Sequence, residues 1–376
     1  MKKVYIKVGY DGSCPQSMEA IKQRDNNVIV VYPSWRKGGE GSSEEAKGSG
    51  CRFDIEVINN TKSLKEVTLI VDWEDIEKTI IRYHDYVFIK NEKDREWGIC
   101  CGYIEGGKCI VKLFLKPGKT IICQNPRYNY EDYEDFVKQI SKNDFIKKEL
   151  AGKSEEKRNI WLLKITDDIP EDRKEKIMIM AMNHAYESAG SYCVEGMVNY
   201  LLGADQWAKY FMSKFVFYIM PMTNPDGVYN GLSRLTSLNG ADMNRVITKK
   251  DKAHQALKNT IDKIKPNIFI NIHNWLDKNI DGLLCLDKNF AEKVRFYMPD
   301  QIEYGKKWYI ETWEEFIRKN QSSEIPLTIK SWKDYCKEQF NSIGITFEFP
   351  WFGRNGDIMK QTGARAVRAC LLSLMH

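Results

Sequence analysis

The chain has 376 residues, 43% of them hydrophobic, enough to bury at least one large core and, by length, to hold two domains. Its 57 lysines and arginines stand against 52 aspartates and glutamates. The two signs alternate along most of the chain, which leaves no electrostatic footprint for nucleic acid. No run of 18 or more apolar residues occurs, and that argues against a membrane span. The ten cysteines form no CxxC pair, and Cys100 and Cys101 are adjacent. This is a poor disulfide framework, so they read as reduced thiols of a cytoplasmic protein.

Met1 to Tyr10 alternates polar with apolar positions and reads as a strand, without the continuous apolar stretch of a secretory signal. Strand character returns at Val28 to Tyr32, Arg52 to Ile58, Val67 to Trp73, Tyr86 to Lys90, Trp97 to Tyr103 and Cys109 to Leu115. Turn-rich stretches such as Lys37 to Gly50, Asn59-Asn60 and Gly106-Gly107 separate them. Residues 1–126 are therefore expected to form an antiparallel β-sandwich domain, with Lys37 to Gly50 as a loop inside it.

After Pro126 the pattern changes. Tyr130 to Lys148 has helical spacing, and Asn159 to Thr166, Lys176 to Met182 and Phe215 to Met220 read as strands. Ala189 to Leu202, His254 to Ile264 and Gly363 to Met375 read as helices, with strands at Asn267 to Ile272 and Ile345 to Phe349. This alternation predicts an α/β domain over residues 127–376, with a mixed, mostly parallel sheet flanked by helices.

Open α/β sheets gather ligands at the carboxyl ends of their strands. Asn183-His184-Ala185-Tyr186-Glu187 follows one buried strand, His273-Asn274 follows another, and Glu348 stands inside the apolar run Ile345 to Phe349. Two imidazoles and one carboxylate are a sufficient protein ligand set for a catalytic zinc with an open position for water. His184, Glu187 and His273 supply that set from a chain with only five histidines. The bland alternatives are a loop at a helix start, with Glu187 favourable near the helix N-terminus, and a hydrogen-bonded strand-end histidine. Glu348 is either a working buried carboxylate or a strand residue facing water.

Between the first two clusters lie Asn224-Pro225-Asp226-Gly227, a strand-end turn by its dipeptides, then Asn230-Gly231-Leu232-Ser233-Arg234 and Gly240-Ala241-Asp242-Met243-Asn244-Arg245. The order HxxE, NPDG, Arg, GxDxNR, a strand-end His and a late Thr-Phe-Glu resembles the M14 metallocarboxypeptidase family over roughly Tyr128 to Phe349. The Asn-Gly-x-x-Arg form, and a β-rich domain joined through Pro126 to Tyr130, are most similar to its cytosolic carboxypeptidase branch.

The resemblance implies one Zn2+ on His184, Glu187 and His273, and Glu348 as the general base that takes a proton from the zinc-bound water. It implies Arg234 as the oxyanion-stabilising arginine, Asn244 and Arg245 as the pair that binds the substrate's terminal carboxylate, and Asp242 as the carboxylate that orients His184. The implied activity is removal of a C-terminal residue at a peptide or isopeptide bond, with a weak tilt toward acidic C-termini. The alternatives are cleavage of a cell-wall peptide or small-molecule amide, or a catalytically silent binding protein.

Two departures stand out. Ala185-Tyr186 occupies the positions where relatives carry arginine or Pro-Gly, and no tyrosine aligns with the family's mobile one. Tyr304, Tyr309 and Tyr335 are candidates for it, and the specificity pocket is expected between Ile310 and Ile345. His84, His254 and His376 read as structural, Trp97, Trp275, Trp332 and Trp351 as core or rim packing, and the lysines between Lys142 and Lys157 as solvated faces.

Overall fold

The structure is a computed structural model that describes all residues except 1–2, 25–26, 34–51, 74–84, 246–250, 277–279, 286, 299–308, 313–330 and 376, and only the backbone of 309–312. The loop expected at Lys37 to Gly50, and His84, Tyr304 and His376, lie outside the described residues. Two compact units emerge. One is Met1–Glu131 with His184–Ser188 and Pro225–Asp242; the other is Asp132–Asn183, Ala189–Asn224 and Met243–His376.

Among the described residues the first unit has ten strands: β1 (Val4–Lys7), β2 (Ile21–Arg24), β3 (Val28–Val31), β4 (Asp54–Asn59), β5 (Lys65–Asp72), β6 (Tyr86–Asn91), β7 (Gly98–Cys101), β8 (Tyr103–Glu105), β9 (Lys108–Leu115) and β10 (Gly118–Cys123). One sheet runs β1-β4-β10-β6-β7 and is antiparallel throughout. The other runs β2-β3-β5-β9-β8 and is antiparallel except at β3 and β5, which pair parallel. Between those two strands the chain crosses to β4 of the first sheet, and such a crossover is what parallel neighbours require. Strand alternation buries Val67, Leu69, Val71, Val111 and Leu113 of the second sheet, and Ile55, Val57, Val87 and Ile122 of the first.

This unit also buries charge. The Arg127 guanidinium donates to both oxygens of Asp54 and to Glu56 Oε1 at 3.1 Å. It also stacks on the Tyr10 ring, 4.7 Å from the centroid. Burial works against the Glu56 carboxylate, but Arg127, Lys119 and Lys7 outweigh it and hold Glu56 below the ordinary carboxylate range.

The second unit carries an eight-stranded mixed sheet, with β11 (Ile146–Lys153), β12 (Asn159–Ile165), β13 (Glu175–Ala181), β14 (Phe215–Met220), β15 (Ile268–His273), β16 (Gly282–Cys285), β17 (Tyr309–Thr312) and β18 (Ile343–Glu348) in the order β11-β12-β14-β13-β15-β18-β16-β17. Its central strands β14, β13, β15 and β18 are mutually parallel. Both faces of β13 are buried from Ile177 to Ala181, as expected of a parallel sheet covered on both sides.

Among the described residues the α-helices are α1 (Tyr130–Ile140), α2 (Ser188–Leu201), α3 (Gln206–Lys214), α4 (Pro225–Tyr229), α5 (Lys252–Ile264), α6 (Lys288–Tyr297), α7 (Trp332–Phe340) and α8 (Gly356–Met375). On one face of the sheet, Leu257, Ile261 and Ile264 of α5 and Trp332 and Cys336 of α7 pack on Met178, Met180, Met220 and Phe269. Among the described residues no helix is long and apolar enough to cross a membrane, and none of the cysteines is in a disulfide.

Two sequence expectations are corrected. The helix expected over Tyr130 to Lys148 ends at Ile140, and the rest turns through Ser141–Phe145 into β11. There the Asn143 side chain accepts from Phe145 N at 3.0 Å, a local bond that competes with helix. β11 pairs only with β12 and is an edge strand, so its polar residues give no strand alternation to read. The Asn-Pro-Asp-Gly turn is a short helix, α4, with Pro225 at its first position, where a missing N–H costs nothing.

Because the folded Glu56 titrates below its unfolded value, its ionised form contributes stability above about pH 4.3, the unfolded glutamate value, and that contribution fades as pH falls through the folded value. Glu56→Gln should destabilise the protein by about 1–3 kcal/mol at pH 7. The gap from wild type in urea midpoints should shrink on acidification below about pH 4.3; a pH-independent gap would contradict the ion-pair account.

Candidate active site

His273 and Glu348 end the parallel strands β15 and β18, and His184 and Glu187 follow β13 in the chain. β13 stops at Ala181, and the buried Met182 turns the backbone into the left-handed region, φ 54°. A non-glycine residue tolerates that only where its surroundings impose it. Here Thr223 Oγ1 donates to Ala181 O at 3.3 Å and Asn224 Nδ2 donates to Asn183 O at 3.1 Å. The chain then presents His184, and Glu187 N donates to His184 O at 3.1 Å just before α2 begins.

His184 and Glu187 are 6% and 2% exposed. His184 Nδ1 lies 2.9 Å from Glu187 Oε1, and its Nε2 lies 3.1 Å from Asp242 Oδ1. Burial alone pulls the imidazolium down, but the two carboxylates outweigh it and raise His184 to about 9. A metal ion bound beside the ring would answer the same electrostatic demand of the two acids with the imidazole neutral.

His273, 2% exposed, closes the set: one ligand atom from each of His184, Glu187 and His273 lies within 4.8 Å of the others. Ligands of a tetrahedral zinc with bonds near 2.0–2.2 Å stand roughly 3.4 Å apart, so small side-chain adjustments suffice. The donor set therefore fits the ion, and the Asp242 contact supplies the outer hydrogen bond that zinc-binding histidines commonly make.

Glu348 is placed by sheet register. It pairs with His273 across the parallel β15 and β18 ladder, so the two side chains leave the same face of the sheet, and Phe349 N donates to His273 O at 3.1 Å. Glu348 is half-buried, which fits neither extreme reading of its sequence context.

Asn244 is tied to this strand as well. Its amide lies 3.3 Å from His273 Nε2 and accepts from Asn271 Nδ2 at 3.1 Å. Arg245 Nη1 donates to Asn244 O at 2.9 Å, and Trp332 Nε1 donates to Met243 O at 2.7 Å. Arg234 is half-buried on a loop whose Ser233 carbonyl accepts from Ala185 N at 2.7 Å, and Leu235 bridges to Asp242.

Asn271 went unnoticed in the sequence. Its position two residues ahead of His273 on one strand face was the available signal. Of the three tyrosines, Tyr335 packs against the α5 core, with its hydroxyl donating to Asp262 Oδ1 and accepting from Lys258 Nζ. Tyr309 is described by backbone only. His254 is structural: it opens α5, and its Nδ1 lies 2.6 Å from the capping Asp251.

Residues 133–274 match the zinc carboxypeptidase family, peptidase M14. Among curated proteins the chain is similar to cytosolic carboxypeptidase 6 of Caenorhabditis elegans, 27% identical over half of this chain and 42% of that protein. It is also similar to cytosolic carboxypeptidase 6 of Homo sapiens, 33% identical over 31% of this chain and 24% of that protein. The chain thus spans less than half the length of these relatives.

The fold is that of solved metallo-carboxypeptidases. One from Burkholderia cenocepacia superposes with TM-score 0.77 at 18% identity over 99% of both chains. One from Pseudomonas aeruginosa, in complex with (2-guanidinoethylmercapto)succinic acid, superposes with TM-score 0.76 at 14% identity over 99% of both chains. The match to the zinc carboxypeptidase family is confined to residues 133–274, and the relatives are named as carboxypeptidases, which are hydrolases.

His273→Ala should abolish stoichiometric zinc binding, measured as metal content after dialysis. Asp242→Asn, which keeps all three ligands, should weaken zinc about 10- to 100-fold in chelator competition. Full occupancy in His273→Ala would remove that residue from the set.

Proposed function

We propose that the protein is a zinc-dependent carboxypeptidase that hydrolyses the bond preceding a free C-terminal carboxylate, peptide or isopeptide, and releases one amino acid. The observation that carries this reading is the juxtaposition of a buried His184, Glu187 and His273 cluster with Glu348 in register beside His273.

Zinc held by the three ligands would polarise the scissile carbonyl and acidify a water molecule. Glu348, half-buried and next to that cluster, takes the proton from the attacking water and delivers it to the departing amine. Arg234 stabilises the negative charge that develops on the carbonyl oxygen. Arg245 and Asn244 hold the terminal carboxylate, a task suited to the planar fork of a guanidinium. Asn271 keeps the Asn244 amide from turning away. Asp242 fixes the orientation of the His184 ring.

Recognition of a carboxylate agrees with the succinic acid compound bound by the Pseudomonas aeruginosa relative. We further infer a cytoplasmic setting from the cytosolic relatives, and take residues 1–126 as a β-rich domain ahead of the catalytic one.

The tilt toward acidic C-termini gains a residue. Lys333, 3% exposed on α7, falls in the stretch expected to shape the specificity pocket. Burial pulls its ammonium below the ordinary lysine value, against the opposing charges of Asp334, Cys285 and Glu348. An ammonium at this position would attract a carboxylate side chain of the substrate and repel a basic one.

Glu348→Gln should keep its zinc and lose about a hundred- to ten-thousand-fold in kcat on peptide substrates; equal rates in the two proteins would sink the mechanism. In a library of peptides differing only in the last residue, the wild type should favour Glu and Asp. Lys333→Met should lose about 1–3 kcal/mol of that preference in kcat/KM, and an unchanged ranking would discard Lys333 as its source.

A further inference from the structure

The β-rich unit holds a buried guanidinium whose contacts reach the two loops that carry the chemistry. Arg52, just ahead of β4, is 7% exposed. Its Nη1 donates to Ala185 O at 3.0 Å, with longer contacts to Val228 O at 3.4 Å and Leu232 O at 3.5 Å, and its Nη2 donates to Gly12 O at 3.1 Å. Ala185 stands between His184 and Glu187, and Leu232 stands just before Arg234. The loops also meet directly, through Ala185 N and Ser233 O at 2.7 Å.

The backbone around this grip leaves little freedom. Gly12 N donates to Tyr229 O at 2.8 Å. Gly231 has φ 67°, and a Cβ there would fall 2.0 Å from Ser13 O, so the Asn-Gly of the motif is required by close approach as well as by the turn. Gly12 has φ 84°, and a Cβ there would stand 3.1 Å from Arg52 Nη2.

A guanidinium is costly to bury unless its N–H groups are satisfied. Among the described residues the acceptors of Arg52 are neutral carbonyls on three separate segments, so what the arrangement yields is relative position. A rigid fork of five donors can span such a set, and a lysine ammonium cannot.

We propose that Arg52 is the positioning residue of the site: it holds the loop carrying His184 and Glu187 at a fixed distance from the loop carrying Arg234, so that metal and arginine act on one carbonyl. The Arg234 half rests on the carboxypeptidase reading; the metal half rests only on the His184, Glu187 and His273 cluster.

The test compares the full-length wild type with Arg52→Gln, Arg52→Lys and the milder Gly12→Ala. Four quantities are measured: zinc affinity by chelator competition, the visible absorption of the Co2+-substituted protein, and kcat and KM on a peptide ending in glutamate. Arg52→Gln should bind zinc about 10- to 100-fold more weakly and show altered cobalt band intensities. Its kcat should fall about 100-fold, with KM nearly unchanged because Asn244 and Arg245 are untouched. Arg52→Lys should not rescue it, and Gly12→Ala should move each quantity in the same direction by less.

Variants with a lowered melting temperature but wild-type zinc affinity, cobalt spectrum and kcat would overturn the proposal and leave Arg52 a packing residue. If the Arg52 variants fail to fold, Gly12→Ala decides by the same readouts. If the wild type hydrolyses no peptide, the carboxypeptidase reading fails, and zinc affinity and the cobalt spectrum still decide the metal half.

Discussion

The parallel pairing of β13, β15 and β18 is the constraint on which the site depends. Parallel strands end on the same side of a sheet, so residues far apart in sequence arrive at one edge. The ladder sets Ala181 against Ile272 and His273 against Glu348. A shift of one residue in β18 would send the Glu348 carboxylate to the opposite face of the sheet. Chain order supports the location: β14 and β15 lie on opposite sides of β13, and such a reversal opens a crevice at the strand ends.

Charge at this edge is held by compensation. His184 lies between two carboxylates and is pushed up to about 9 despite burial. Asp281 and Arg354 form a buried pair at 2.6 Å, and Arg354 Nη1 also donates to Pro350 O at 2.8 Å, so the turn after β18 is pinned to the start of β16. Burial pushes the Asp281 carboxyl up even though Arg354 pulls it down. Pairs of this kind add little net stability compared with apolar packing, yet removing one partner is costly. They are best understood as fixing the geometry beside Glu348.

The elements legible in the sequence were those with a strong period or a continuous apolar run. β13, β14 and β15 are such runs, and α5 has helical spacing with a buried stripe from Ala253 to Ile264. The failures occurred where local signals compete. β11 is an edge strand with one fully buried residue, and β2 and β10 are short strands whose apolar positions follow no long pattern. The parallel β3 and β5 pair could not be read at all, because its direction depends on a crossover through the other sheet.

The sequence by itself determined the chemistry available: two histidines and a glutamate after buried strands, a late carboxylate in an apolar run, and an ordered set of arginine and asparagine motifs. Residue type and spacing carry that information because donor chemistry belongs to the residue and strand-end placement is read from a short window. The tertiary structure alone decided that His273 and Glu348 share a face, that Asn271 holds Asn244, that Lys333 is buried, and that Arg52 reaches Ala185. Those facts depend on strand register and on contacts between distant segments, and neither is encoded in any short window of the chain.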